Sequence, residues 1–254
     1  MSNRRAFIAG NWKMYKTGGE ALAFIDELNK LIKDVVDTDV VVAPPLTALA
    51  LVADRIKGTS IQLAAQNVHW ESEGAYTGEV SPDMLVSAGC YYVLIGHSER
   101  RQYFGETDAT VNKKIKAALA HRLSPVFCIG ETLAEREAGN TFSVLSRQIK
   151  DGLSGISPAD IKQIIVAYEP VWAIGTGKTA SNEQAQDAHA FIRGELAECC
   201  GKDIANTGRI LYGGSVKPSN IGGLMVLPDV DGALVGGASL VASTFAEIVR
   251  CAKV

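Results

Sequence analysis

The chain has 254 residues, 47% of them hydrophobic and 21% charged, which is the composition of a globular protein with a large buried core. Its net charge of −3 leaves no basic footprint for nucleic acid or an anionic membrane, so an anionic ligand has to be held by a local site. No apolar run approaches the ~18 residues of a membrane span, and the stretch 6–9 behind the basic start is shorter than the roughly 7–15 residues of a secretion-signal core, so the expected compartment is the cytoplasm.

The first short apolar run, 7–11, reads as a strand. After it, Ala21, Phe24, Ile25, Leu28, Leu31 and Ile32 recur at helical spacing, with Glu20, Asp26, Glu27, Lys30 and Lys33 between them. Strands are expected again over 40–43 and 61–66, and Ser81-Pro82-Asp83 has the form of a helix start, with a capping serine and proline in the first turn. A strand over 92–96, a helix over 111–122 and a strand over 125–129 follow. Ser157-Pro158 opens another helix ahead of a strand over 163–168. Ser181 and Gln184 form a capping box for a helix over 183–199, and the last strands fall over 209–212 and 231–235.

Several of these strands are apolar almost throughout, as strands covered by helices on both faces must be. Roughly eight strand–helix units with no linker predict a single domain over 1–254, a closed (β/α)8 barrel. The alternative, a doubly wound open sheet, more often carries GxGxxG after its first strand, where this chain has Asn11-Trp12-Lys13.

In such a barrel the chemistry belongs at the C-terminal ends of the strands. Asn11 and Lys13, Gln66-Asn67, His97 and Glu99, Glu169, Gly213-Gly214-Ser215 and Gly236-Gly237 all fall there. Lys13 offers a fixed cation for an anionic substrate, though a solvated surface lysine is the plainer reading. The two glycine pairs follow strands seven and eight, where backbone N–H groups can approach a phosphate closely; each pair alone could be only a tight turn. His97 can be a proton donor or merely a capping histidine. Glu99 can be a first-turn helix carboxylate or a partner for Lys13.

Glu169 ends a strand and Pro170 holds it out of helical geometry. Behind it, Val171-Trp172-Ala173-Ile174 is an apolar patch in a loop, and Gly175 and Gly177 give that loop the freedom to close. A lid over a carboxylate accounts for more of these residues than a loop simply docked on the barrel.

The five cysteines, Cys90, Cys128, Cys199, Cys200 and Cys251, include no CxxC pair and are expected to be buried thiols. The end Cys251-Ala-Lys-Val resembles a prenylation box, but Lys253 stands where an aliphatic residue is wanted, so prenylation is not expected. The four histidines show no HxH or HExxH spacing, so neither a metal nor a cofactor is expected.

Taken together, Asn11-Trp-Lys13, Ile95-Gly-His-Ser-Glu-Arg100, the segment from Ala167 to Lys178, Tyr212-Gly-Gly-Ser-Val216 and Leu234-Val-Gly-Gly237 resemble the triosephosphate isomerase family, in order and at matching spacing along the whole chain. The resemblance implies interconversion of dihydroxyacetone phosphate and glyceraldehyde 3-phosphate through an enediol or enediolate. It implies Glu169 as the base, His97 as a neutral electrophile, Asn11 as a further donor and Lys13 as the cation. It also implies that Gly175, Ser215, Gly236 and Gly237 hold the phosphate. The family is itself a standing example of a tuned histidine and of loop gating, so both points come with the resemblance.

A homodimer is implied too, with the loop from Val68 to Val80, residues 68–80, reaching the partner's site through Thr77. Two alternatives remain at this level. One is a Schiff-base aldolase using Lys13 as nucleophile, which borohydride trapping would reveal. The other is a barrel that binds phosphate without catalysis.

Overall fold

Strands form at the eight short apolar runs. They are β1 (Ala6–Asn11), β2 (Thr38–Ala43), β3 (Ile61–Ala65), β4 (Tyr92–Ile95), β5 (Ser124–Ile129), β6 (Ile165–Tyr168), β7 (Ile210–Tyr212) and β8 (Gly232–Val235). The computed structural model describes residues 4–174 and 179–252. All neighbouring strands run parallel and β8 pairs back onto β1, which closes the barrel: a (β/α)8 fold, as the alternation of elements predicts. Among the described residues twelve α-helices surround it. The first six are α1 (Gly18–Ile32), α2 (Leu49–Arg55), α3 (Pro82–Ser87), α4 (Ser98–Phe104), α5 (Asp108–Ala120) and α6 (Leu133–Glu137). The others are α7 (Thr141–Gly152), α8 (Pro158–Ile161), α9 (Asn182–Cys200), α10 (Lys202–Thr207), α11 (Pro218–Met225) and α12 (Ala242–Cys251).

Alternation along each strand divides two cores. Phe7, Ala9, Val41, Ala43, Leu94, Val126 and Ala167 point into the barrel, while Ile8, Val40, Val42, Val93 and Phe127 face the helices. Every residue of β1 is buried, which is why its sequence lacks a polar face. The helix starts obey the local rules that predict them. The side chain of Ser81 accepts the Met84 N–H, that of Ser157 accepts the Asp160 N–H, and Ser181 with Gln184 closes a capping box.

The differences from the sequence reading have local causes. Gln66 leaves β3 because its amide turns sideways to donate to two carbonyl oxygens, those of Lys13 and Ala43, both at 2.8 Å. Gly96 ends β4 with φ of 75°, a left-handed conformation that glycine adopts without cost. Gln163 and Ile164 belong to the turn after α8, donating to Asp160 and Ile161, so Ile164 is buried without being in the ladder. The expectation of five buried thiols fails for three: Cys90 and Cys128 are buried, but Cys199, Cys200 and Cys251 sit in the last turns of α9 and α12 and reach the surface.

Candidate active site

The polar residues at the strand ends converge on the C-terminal mouth of the barrel, around a cavity of about 390 Å³ lined by Asn11, Lys13, His97, Glu169, Ser215 and Gly236, among others. Lys13 is placed there by an unusual backbone, with φ of 52°. Such a conformation in a residue other than glycine costs on the order of 1–3 kcal/mol and persists only where the surroundings over-determine it. Two side chains do so: Asn11 Oδ1 accepts the Lys13 N–H at 3.0 Å, and Gln66 Nε2 donates to the Lys13 carbonyl. The ammonium then meets Glu99 Oε1 at 2.6 Å. A Cβ built on Gly236 would lie 4.0 Å from Lys13 Nζ, so the bare backbone of Gly236 faces the cation.

His97 stands at the N-cap of α4, where its Nδ1 accepts the Glu99 N–H at 3.3 Å. An Nδ1 that accepts carries no proton, so the neutral ring has its hydrogen on Nε2. That nitrogen lies 2.9 Å from Glu169 Oε1. The other carboxylate oxygen, Oε2, accepts the backbone N–H of Ser98 at 2.9 Å. His97 and Glu169 are 6% and 2% exposed, so this proton-bearing pair is shielded from water. Burial works against a charged imidazole, but the negative charge and hydrogen bond of Glu169 outweigh it and hold the His97 pKa above its usual value. Glu99 thus fits both readings of its place in the sequence, being in the first turn of α4 and paired with Lys13.

The glycines next to Glu169 have a steric purpose. A Cβ on Gly130 would stand 1.7 Å from the Glu169 carbonyl oxygen, and one on Gly213 would stand 2.9 Å from Glu169 Cγ. On Gly214 it would meet the Tyr212 hydroxyl at 2.3 Å. The first glycine pair therefore lets backbones and the Glu169 side chain close in, as well as offering N–H groups beside half-buried Ser215. The second pair opens a single 3-10 turn, Gly237–Leu240, whose Ser239 hydroxyl donates to the Gly236 carbonyl at 2.7 Å. Gly10 in β1 makes room for that turn, since a Cβ there would lie 2.9 Å from Ser239 Cβ. Gly175 and Gly177, expected in the lid, lie outside the described residues.

The residue that sequence reasoning missed is Glu131, fully buried just after β5. Its carboxylate accepts from Trp172 Nε1 at 2.9 Å, from the Tyr168 hydroxyl at 3.2 Å and from Arg136 Nη1 at 3.2 Å. The Arg136 guanidinium also lies over the Trp172 ring, 4.3 Å from its centre. Trp172 and Ala173 are thereby buried in a 3-10 turn docked on the barrel, so the apolar patch behind Glu169 is not an exposed one. Burial, reinforced by the Glu131 charge, raises the Tyr168 pKa and keeps that hydroxyl a donor. The available signal was position: Gly130-Glu131 follows a strand end just as the other polar residues do.

Comparison with known proteins decides the family. The family model described as triosephosphate isomerase matches residues 6–252. The chain is 62% identical over 247 residues to the triosephosphate isomerase of Citrifermentans bemidjiense, covering 97% of this chain and 98% of that one. It is 60% identical to the protein of that name from Geotalea uraniireducens, with the same coverage, and 56% identical to that from Caldanaerobacter subterraneus, covering 97% and 99%. The chain belongs to the triosephosphate isomerase family. The match spans every strand of the barrel, and the mouth that gathers Lys13, His97 and Glu169 lies within it. Among the described residues no helix is long and apolar enough to cross a membrane, and no group of three or more His, Cys, Asp or Glu side chains is arranged to hold a metal ion.

Proposed function

We infer that the chain interconverts dihydroxyacetone phosphate and D-glyceraldehyde 3-phosphate by proton transfer, the step its family contributes to glycolysis and gluconeogenesis. The observation that carries this reading is the buried pair of Glu169 and His97 beside Lys13, in a chain of this family. Glu169 takes a proton from the carbon next to the carbonyl, and returns it to the neighbouring carbon. His97, with its hydrogen on Nε2, donates to the oxygens of the enediolate, and the Lys13 ammonium offsets the developing negative charge together with that of the phosphate. Asn11 is a further donor, and Glu99 holds the lysine in place. Without substrate, Glu169 is fully engaged by His97 Nε2 and the Ser98 N–H. A substrate carbonyl seated on Nε2 displaces Oε1 and frees the carboxylate to act as base.

The phosphate is proposed to lie against the N–H groups of Gly236 and Gly237 beside Ser215, and the resemblance adds Gly175 to that set. A closed lid keeps water from the enediolate. Lys13 Nζ is taken up by Glu99 Oε1 at 2.6 Å, which argues against a Schiff-base aldolase, because there the amine has to be free to attack a carbonyl.

The same reading includes a homodimer. Residues 71–79 are exposed without a break, and a second cavity of about 300 Å³ beside Lys13 is lined by the apolar side chains of Met14, Leu46 and Phe104. We take the loop 68–80 of one copy to fill that cavity in the other, with Thr77 nearest the site. Five cysteines with no disulfide-framework spacing suit the reducing cytoplasm.

A coupled isomerisation assay tests the base. Glu169→Gln keeps the shape of the side chain but removes its proton affinity, so turnover is expected to fall by about 10²–10⁴, the range of general-base contributions. Equal turnover by the wild type and the variant would sink the assignment.

A further inference from the structure

The last turn of α9 ends in two adjacent cysteines, Cys199 and Cys200, before Gly201. Neighbouring positions on a helix do not normally face each other. Here the two Sγ atoms are 2.8 Å apart, with Cys199 exposed and Cys200 half-buried. Gly201, at φ of 96°, breaks the helix immediately afterwards and the chain restarts as α10. Beside the pair is an open depression of about 470 Å³ lined by Cys200, Lys162, Lys202, Pro158 and Ile204, among others.

We propose that Cys199 and Cys200 form a chelating dithiol site for trivalent arsenicals of the type R–As=O, seated with R in the adjoining depression. In the binding step each thiol forms one S–As bond. The two thiol protons leave with the arsenical oxygen as water, and no atom changes oxidation state.

The geometry favours such a bridge over a direct disulfide. Consecutive α-carbons across a trans peptide are about 3.8 Å apart, below the roughly 4.4–6.8 Å span of unstrained disulfides, and closing one would draw the sulfurs to about 2.05 Å. A bridging atom leaves the sulfurs further apart and the end turn intact. For comparison, thiolate–zinc bonds of about 2.3 Å at a tetrahedral angle separate two sulfurs by about 3.8 Å. The depression supplies an apolar wall for the organic group and two ammonium groups at its rim. Burial, with the Cys199 contact second, pushes the Cys200 thiol up to about 12. A thiol that stays protonated is a slow partner in disulfide exchange.

Phenylarsine oxide and intact-protein mass spectrometry test the proposal. The wild type is expected to retain one phenylarsenic per chain in excess 2-mercaptoethanol, and to release it to dithiothreitol. Cys199→Ser and Cys200→Ser are each expected to lose that retention at least tenfold. Cys251→Ser, which removes the exposed thiol of α12, is expected to keep it. Circular dichroism and isomerase turnover of the same samples report whether each variant is folded. Retention that survives in either α9 variant, disappears in Cys251→Ser, or yields to the monothiol as readily as to the dithiol would overturn the proposal.

Discussion

Glu169 shows how closely one carboxylate can depend on residues with no chemistry of their own. Its backbone N–H donates to Ile129 at 2.7 Å, its neighbour Tyr168 accepts from Gly213 at 2.7 Å, and Gly130 leaves the space its carbonyl fills. The Gly130→Ala variant isolates this dependence. Gly130 does not have a positive φ, and the conflict for alanine is one of contact, with the Glu169 carbonyl oxygen 1.7 Å from the new Cβ and its carbon at 2.6 Å. Both partners are backbone, so β5 and β6 have to separate. Overpacking of this kind costs about 1–3 kcal/mol, and a shift of about 1 Å in a reacting group costs roughly 10²-fold in rate. Turnover is expected to fall about 10²-fold with lowered thermal stability, while Gly237→Ala, where nothing lies within 4 Å of the new Cβ, keeps wild-type stability. Wild-type turnover and melting in Gly130→Ala would show that the strand spacing is not what positions Glu169. Sequence reading found Glu169, His97 and Lys13 because polar residues at strand ends stand out against apolar neighbours. It missed Glu131 because a carboxylate satisfied inside the protein is written in the same letters as an exposed one.

At the level of elements the strands were legible, because burial on both faces imposes a continuous apolar run. Their ends were not, since Gln66 and Ile164 leave the ladder for reasons of side-chain hydrogen bonding and a preceding turn. Short helices such as α4 and α6, set within the loops, have too few turns to show a period. α9 was legible, and it carries a histidine whose consequence was not. His189 is fully buried, its Nδ1 lies 3.2 Å from the Asp229 carbonyl, and its Nε2 has no hydrogen-bond partner among the described residues. Its ring packs against Tyr168 and Tyr212, the residues just before Glu169 and Gly213, at 5.8 and 6.3 Å between centres. Burial pushes its pKa down to about 4, with Arg193 adding to the effect and the Asp229 hydrogen bond opposing it. The unfolded chain therefore binds this proton near pH 6.5 while the folded chain refuses it until about pH 4. Stability is complete above pH 6.5 and declines as pH falls toward 4, by about 3 kcal/mol in all. Urea midpoints measured at pH 7.5, 6 and 5 should fall steeply in the wild type and less steeply in His189→Gln, whatever the variant's stability at pH 7.5. Parallel pH slopes would mean that other groups govern the acid response.

On the scale of the whole molecule, apolar side chains beside the mouth stand exposed among the described residues. Met14 is 94% exposed and Phe104 67%, both at the rim of the cavity next to Lys13. The loop proposed to cover it in a second copy is already shaped: His69 stacks on Trp70 at 4.2 Å and packs against Tyr76 at 4.3 Å. Gly74 and Gly78 turn it with positive φ. A preformed loop loses little entropy on docking. Thr77 sits at the exposed tip, so Thr77→Glu leaves the fold of a single copy alone. In the proposed dimer it would bring a carboxylate into the partner's cavity, among Glu79 and Glu99, where like charges and desolvation both oppose it. Docked, it would also compete with Glu99 for Lys13. Sedimentation velocity should therefore show Thr77→Glu as monomer at concentrations where the wild type is dimeric, with turnover reduced at least tenfold and falling further on dilution. A Thr77→Glu protein that sediments with the wild type, or a monomer with undiminished turnover, would separate the loop from the site and leave the exposed rim without the role given to it.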